Sequence, residues 1–278
     1  MAILPGVLAA SPGYLLDGLS DVYGAYSLRQ ISGAATNVCQ CIRDSDSATQ
    51  DFTAAELTDG SLTTFGAGTT ARVKTLYDQS GEDNHATQAT LLSCPSVVIS
   101  GTAQVDGNGL PWMYFDGSNE FIPLSTALPD IDIGDCSSFV VGKFDSTVGA
   151  GTNILESILS LGTGGSARWN VSAYDGDFIF GYGSSWNNHT ETQDTNPHLF
   201  TQIAGSTQGD CRCFIDGTEK DTSTLSSGGT SGTYGIGGMY NTWQYELEGK
   251  VQEVIVFDAD KSVERTAIQS SIMSYYNL

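Results

Sequence analysis

The sequence predicts an all-β sandwich of two antiparallel sheets, with one short helix at the C-terminal end. Three observations carry this. Glycine fills 33 of the 278 positions, and Gly and Asn supply the positive backbone angles that tight turns need. Charged residues make up 15%, well under the usual quarter, so long solvated helices are disfavoured. Short apolar stretches recur about every ten residues through the second half, with turn dipeptides between them.

The elements follow in order. Residues 1–20 read as an N-terminal arm, apolar and broken at Pro5-Gly6 and Pro12-Gly13. It lacks the basic start of a secretory signal, and no run reaches the ~18 apolar residues of a membrane span. Residues 21–278 read as one sandwich domain. Tyr26–Ile31 and Val38–Arg43 alternate apolar and polar residues, the strand period. A polar stretch, 44–68, follows as connection. Val73–Tyr77, Pro111–Gly117 and Ser138–Phe144 are strand candidates. The series continues with Ile154–Leu161, Ala167–Ala173, Asp177–Tyr182, His198–Ala204, Cys211–Ile215, Gly235–Gly238 and Gly249–Phe257. The helix is expected after Ser262 as its cap, with Ile268, Ile272 and Tyr276 as one apolar stripe.

Charge narrows the function. Eleven Lys and Arg face 32 Asp and Glu, a net charge of −21. Such a surface repels nucleic acid and anionic membranes, so neither is expected as a partner. No cofactor is expected. Calcium is the ion that the pairs Asp44/Asp46, Asp130/Asp132, Asp175/Asp177 and Asp258/Asp260 would suit, although none has the full loop of an EF-hand. The six cysteines include Cys39/Cys41 and Cys211/Cys213, spaced to share a strand face. Disulfides and buried free thiols stand as equal alternatives, ahead of a zinc site.

Two stretches carry a family likeness. His198-Leu-Phe-Thr-Gln-Ile-Ala, Cys213-Phe-Ile-Asp-Gly-Thr, Tyr234-Gly-Ile-Gly-Gly and Glu248-Gly-Lys-Val-Gln-Glu-Val-Ile-Val-Phe resemble the closing half of concanavalin A-like, laminin-G-like jelly-roll sandwiches. Tyr26-Ser-Leu-Arg followed by Tyr77-Asp-Gln-Ser-Gly-Glu-Asp-Asn-His85 resembles the catalytic sandwich of arabinofuranosidase B-type enzymes. The same pairing is similar to sandwich domains of bacteriophage virion proteins. In the arabinofuranosidase pattern an acid Asp follows Ile-Gly-Gly; here Met239 follows Gly238. The stretch matching the nucleophile, from Trp169 to Phe180, offers Asp175 and Asp177 on a turn. That family's adjacent Cys-Cys pair is missing, and the Glu-x-Asp-x-x-Glu signature of other sandwich glycanases does not occur.

These departures lead to the expectation of a non-enzymatic bacteriophage virion protein, a capsid decoration, fibre or tail-associated module on the virion surface. The arm would dock other virion proteins in a symmetric homo-oligomer, a trimer first, and the sandwich would meet host-surface glycans. The alternative is a secreted carbohydrate-binding module or a glycoside hydrolase of arabinofuranosidase type. Candidate glycan contacts are Tyr182, Trp186, Asn187 and Asn188 in one Gly-rich loop and Tyr240 and Trp243 in another, since aromatic rings stack on sugar faces. Asp78, Asn84 and His85 form a further candidate group, set against a reading in which they bond back to their own turn. Asn170 and Asn188 begin glycosylation sequons.

Overall fold

The computed structural model describes residues 13–124, 135–148, 155–164, 167–182, 185–204, 211–223, 234–238 and 245–278. The alternating and β-branched stretches pair into two antiparallel sheets. The larger holds β1 (Val22–Ser27), β2 (Cys39–Arg43), β3 (Thr49–Phe52), β4 (Ala71–Leu76), β5 (Ala86–Thr87), β6 (Ser96–Ile99), β7 (Thr102–Ala103) and β8 (Met113–Asp116). It also holds β10 (Cys136–Phe144), β15 (His198–Ala204), β16 (Cys211–Ile215), β17 (Thr218–Ser223) and β19 (Glu248–Phe257). The smaller holds β9 (Ile122–Pro123), β11 (Leu155–Gly164), β12 (Ala167–Tyr174), β13 (Asp177–Tyr182), β14 (Ser185–Thr192) and β18 (Tyr234–Ile236).

The larger sheet runs β17-β16-β15-β10-β19-β8-β6-β4-β2-β3, and the smaller β14-β13-β12-β11-β18-β9. Between them lies a core that includes Phe52, Val73, Phe115, Val140, Phe144, Trp169, Val171, Phe180, Phe200 and Val254. The buried Trp169 indole donates to Ser138 Oγ at 2.8 Å, so its one polar atom is satisfied across the sandwich.

The near-continuous apolar runs of β10 and β19 have a physical reason. Both strands are covered on two faces, which removes the usual alternation. Val140 and Val254 face the smaller sheet. Phe139, Val141, Ile255 and Phe257 pack beneath a C-terminal helix, α2 (Arg265–Tyr276), with Ile268, Ile272 and Tyr276. That stripe is as expected, but the helix starts later than Ser262. Ser262 donates to Asp260 Oδ1 instead of capping it, and Glu264 occupies the cap position with no side-chain bond.

Two elements lie in the stretch read as connection. β3 and a short helix, α1 (Ser61–Phe65), bury only Phe52, Leu62 and Phe65, too few apolar positions to show a period. Of the arm, residues 1–12 lie outside the described residues. Leu16 is buried, donates its N–H to the Ile31 carbonyl at 2.8 Å, and packs with Ala25 and Phe257.

Candidate functional site

One junction between the sheets gathers carboxyl groups. β10 ends at Phe144, β19 begins at Glu248, and β11 begins at Leu155. Glu156, the second residue of β11, pairs with Ala173 of β12. Its Oε2 accepts the Glu248 N–H at 3.3 Å. The side chain is 8% exposed. Burial pushes its pKa up to about 7; the Glu248 N–H pulls the other way, and the charges of Glu248 and Asp145 add to the rise.

The neighbours are fixed in turn. The Asp145 N–H donates to the Glu248 carbonyl at 2.8 Å. Its carboxylate lies 2.8 Å from Lys143 Nζ and 3.9 Å from Lys250 Nζ. Ser146 Oγ donates to Glu248 Oε2 at 3.0 Å. Buried Gln193 ties this corner to the β12–β13 turn. Its Nε2 donates to the Ser146 carbonyl, its Oε1 accepts the Val148 N–H, and its own N–H donates to Gly176. Asp175 therefore sits two residues beyond the cross-strand partner of Glu156, in a left-handed conformation (φ 55°).

The segment leading into β19 is pinned at both ends. The Gly237 N–H donates to Ile158 and its carbonyl accepts the Leu247 N–H. Gly237 has φ +86°, and a Cβ there would sit 2.1 Å from the Phe115 ring, so only glycine fits. Tyr245 follows with φ 82°, its ring 39% exposed and its carbonyl accepting the Ser157 N–H.

Glu120 is the other buried carboxyl that burial pushes up to about 7. It holds Arg72 Nη1 at 2.6 Å and the Asp116 N–H at 2.7 Å. Those bonds tie β4 to β8, a structural role.

The residues singled out in the sequence fall into three groups. Asp78, Asn84 and His85 come together. Asp78 Oδ1 accepts the N–H groups of Ala25 and Ser80, and Oδ2 accepts Ser80 Oγ and the Asn84 N–H. Asn84 Nδ2 donates to the Tyr23 carbonyl, and His85 Nδ1 accepts the Asp78 N–H at 3.1 Å. Tyr182, Trp186, Asn187 and Asn188 are not in a loop. Tyr182 ends β13, and the other three lie on β14, an edge strand, opposite Gly181, Phe180 and Ile179. Tyr240, Trp243 and Met239 lie outside the described residues.

The acidic pairs are mostly engaged. Asp44 pairs with Arg72 and Asp46 with Arg43, while Asp260 accepts from Ser262. Asp130 and Asp132 lie outside the described residues. Among the described residues no three His, Cys, Asp or Glu side chains converge as a metal set. Cys39, Cys41, Cys94 and Cys136 are buried free thiols, with the Cys39 and Cys41 sulfurs 3.8 Å apart, and Cys211 and Cys213 are buried as well. The Asn170 sequon is ruled out as a modification site, because Asn170 is fully buried.

No protein-family model matches the chain, and no curated protein sequence matches it. Solved structures do. A mutant GH54 α-L-arabinofuranosidase soaked with 4-nitrophenyl α-L-arabinofuranoside superposes at TM-score 0.69, with 15% identity over 90% of this chain and 62% of that one. An arabinofuranosidase complexed with arabinofuranosyl-α-1,2-xylobiose gives TM-score 0.60 and 16% identity over the same shares. A Trypanosoma rangeli sialidase in complex with sialic acid gives 0.50 and 14% over 72% and 31%. The chain thus spans about three fifths of the arabinofuranosidases' length. What is shared is the β-sandwich fold.

The expectation of a non-enzymatic chain is corrected by these findings. The sandwich is one on which glycoside hydrolases are built. The expectation had rested on Met239, on Asp175 and Asp177 at a turn, and on the missing Cys-Cys pair and Glu-x-Asp-x-x-Glu signature. It passed over Glu156, Glu248, Asp145 and Tyr245. The one sequence signal for Glu156 was a lone carboxylate inside an apolar strand run, Leu155-Glu-Ser-Ile-Leu159.

Proposed function

We propose that the chain is a carbohydrate-active sandwich, a glycoside hydrolase of arabinofuranosidase type, working at the Glu156 corner. The observation that carries this is the burial of Glu156, which accepts one long hydrogen bond among the described residues and whose carboxyl burial pushes up to about 7. A carboxylic acid still protonated near neutral pH is the proton donor that glycosidic cleavage requires. Glu156 gives its proton to the leaving oxygen. Asp175 is the second carboxylate, acting as nucleophile or as base toward water according to its separation from Glu156. The exposed Tyr245 ring stacks on the sugar, and Lys143 and Lys250 keep the Asp145 charge paired.

This reading fits the shared fold better than the virion role expected from the sequence. The test is sugar release from an aryl arabinofuranoside and from arabinoxylan. Wild type should release arabinose, Glu156→Gln should lose about 10²–10⁴-fold, and Glu156→Asp should keep part. Equal release by wild type and Glu156→Gln would overturn the assignment. Retention on arabinoxylan with no release by wild type would make the chain a binding module.

A further inference from the structure

We infer that a second sugar subsite, built from other elements than the Glu156 corner, lies where the loop after β1 faces Tyr77 and His85, and that it takes one neutral monosaccharide unit. A cleft of about 320 Å³ opens there, lined by Ala34, Ala35, Thr36, Asn37, Tyr77, Asp78 and His85. That is the lower end of the ~300–1,000 Å³ range of small-molecule sites, room for one ring rather than for a long chain.

The walls are held before any ligand arrives. Gln30 Nε2 donates to the carbonyls of Ser32 and Ala35, and the Gly33 N–H donates to Asp17. The loop is therefore preorganised, which lowers the cost of binding. Because His85 Nδ1 accepts the Asp78 N–H, the ring proton sits on Nε2, leaving that nitrogen as a donor. Tyr77 stands edge-on to His85 at 5.0 Å and donates its hydroxyl to Asp51 at 2.7 Å, so the phenol oxygen still accepts. Thr36 and Asn37 make no side-chain hydrogen bond among the described residues. Ala34 and Ala35 leave the floor open.

The cleft thus offers one ring donor, one phenol acceptor, an amide and a hydroxyl around a small space. That set matches the alternating donors and acceptors of a sugar ring. Asp78 is among the lining residues and Asp51 holds the Tyr77 hydroxyl, and the chain carries net charge −21, so uronic and sialic acids are disfavoured. The division of labour in the motif follows: Asp78 and Asn84 hold the turn, while Tyr77 and His85 face the ligand.

The experiment is saturation-transfer NMR with L-arabinose, D-xylose and D-galactose, and with D-glucuronate as the anionic control. At least one neutral sugar should show transfer at millimolar affinity, and glucuronate should not. Ala34→Trp fills the cleft without removing a hydrogen bond, and should weaken binding by at least about tenfold. It should leave sugar release at the Glu156 corner unchanged. His85→Ala should weaken binding similarly. Glu156→Gln should leave this binding intact, which separates failure here from failure of the hydrolase reading. No transfer from any neutral sugar, equal transfer from glucuronate, or undiminished binding by Ala34→Trp would overturn the inference.

Discussion

Glu253 and Glu156 are both glutamates inside strands of this sandwich, and their surroundings differ in kind. Glu253 is fully buried on β19 and surrounded by donors: Arg29 Nε at 2.7 Å, Arg29 Nη2 at 3.0 Å, Ser27 Oγ at 2.8 Å and Tyr276 Oη at 3.1 Å. Glu156 is almost as buried and, among the described residues, accepts one backbone N–H at 3.3 Å. A buried carboxyl with a full set of donors is stable as a charge and locks its partners in place. A buried carboxyl with few donors holds its proton, a cost to folding retained where chemistry uses it. Burial alone does not separate structure from reactivity here; the presence of a bonded guanidinium, as Glu253 and Glu120 have, marks the structural cases.

The largest expected effect comes from breaking the satisfied member of the pair. Arg29 joins β1 to Glu253 and lies over Tyr275 of α2 with 4.3 Å between guanidinium and ring centroid. Arg29→Ala removes the ion-pair partner of Glu253 in the core and leaves only the Ser27 and Tyr276 hydroxyls among its described side-chain donors. It should cost about 3–5 kcal/mol, read as a shift in urea midpoint at unchanged slope. Replacing both partners, Arg29→Met with Glu253→Leu, should recover most of that loss. A small effect of Arg29→Ala would remove the contrast on which the Glu156 argument rests.

Glu156→Gln should act in the opposite direction. The Glu156 carboxyl titrates near 7 in the fold against an ordinary 4.5. Between those values the unfolded chain has released a proton that the folded chain keeps, so this group's contribution falls as pH rises through that window and is level above it. Gln removes the penalty. The variant should therefore be more stable than wild type by about 1–2 kcal/mol near pH 8 and equal to it near pH 4. Greater stability together with lost sugar release would mark a residue kept for function. Lower stability at pH 8 would mark Glu156 as structural.

The sequence showed one member of this contrast no better than the other. Both glutamates sit in apolar strand runs. The register that brings Arg29 to Glu253, or Glu248 and Asp145 to Glu156, joins residues far apart in the chain, and one-dimensional alternation does not encode it. The fold itself was more legible. Strands such as Asp177–Tyr182 and Cys211–Ile215 stood out because they are short apolar runs bounded by the turns Asp175-Gly176 and Asp216-Gly217. β14 was hidden because Ser185-Trp-Asn-Asn-His-Thr190 has loop composition, and an edge strand can form from polar residues when a neighbour supplies the hydrogen bonds.

A third acid-rich corner sharpens the comparison with the smallest effect. His198 stands between Asp216, 2.6 Å from Nδ1, and Asp194, 2.9 Å from Nε2, against the rings of Phe178 and Phe200. Burial alone would lower its pKa, but the hydrogen bonds and charges of Asp216 and Asp194 outweigh it and raise the value above 6.5. Here a titratable cation plays the part that Arg29 plays for Glu253. A raised histidine pKa gives stability that is fully present below the unfolded value and is lost as pH rises through the folded one. In a Glu156→Gln background, where Glu120 still contributes a slope up to about pH 7, stability should fall further as pH rises through the raised His198 value. Adding His198→Gln should flatten that fall while lowering stability on the acid side, where the charged ring is lost. A slope that survives His198→Gln would mean that these carboxylates are held by their backbone donors, as in the Asp216 to Leu199 N–H bond, and that the imidazolium adds nothing to the corner.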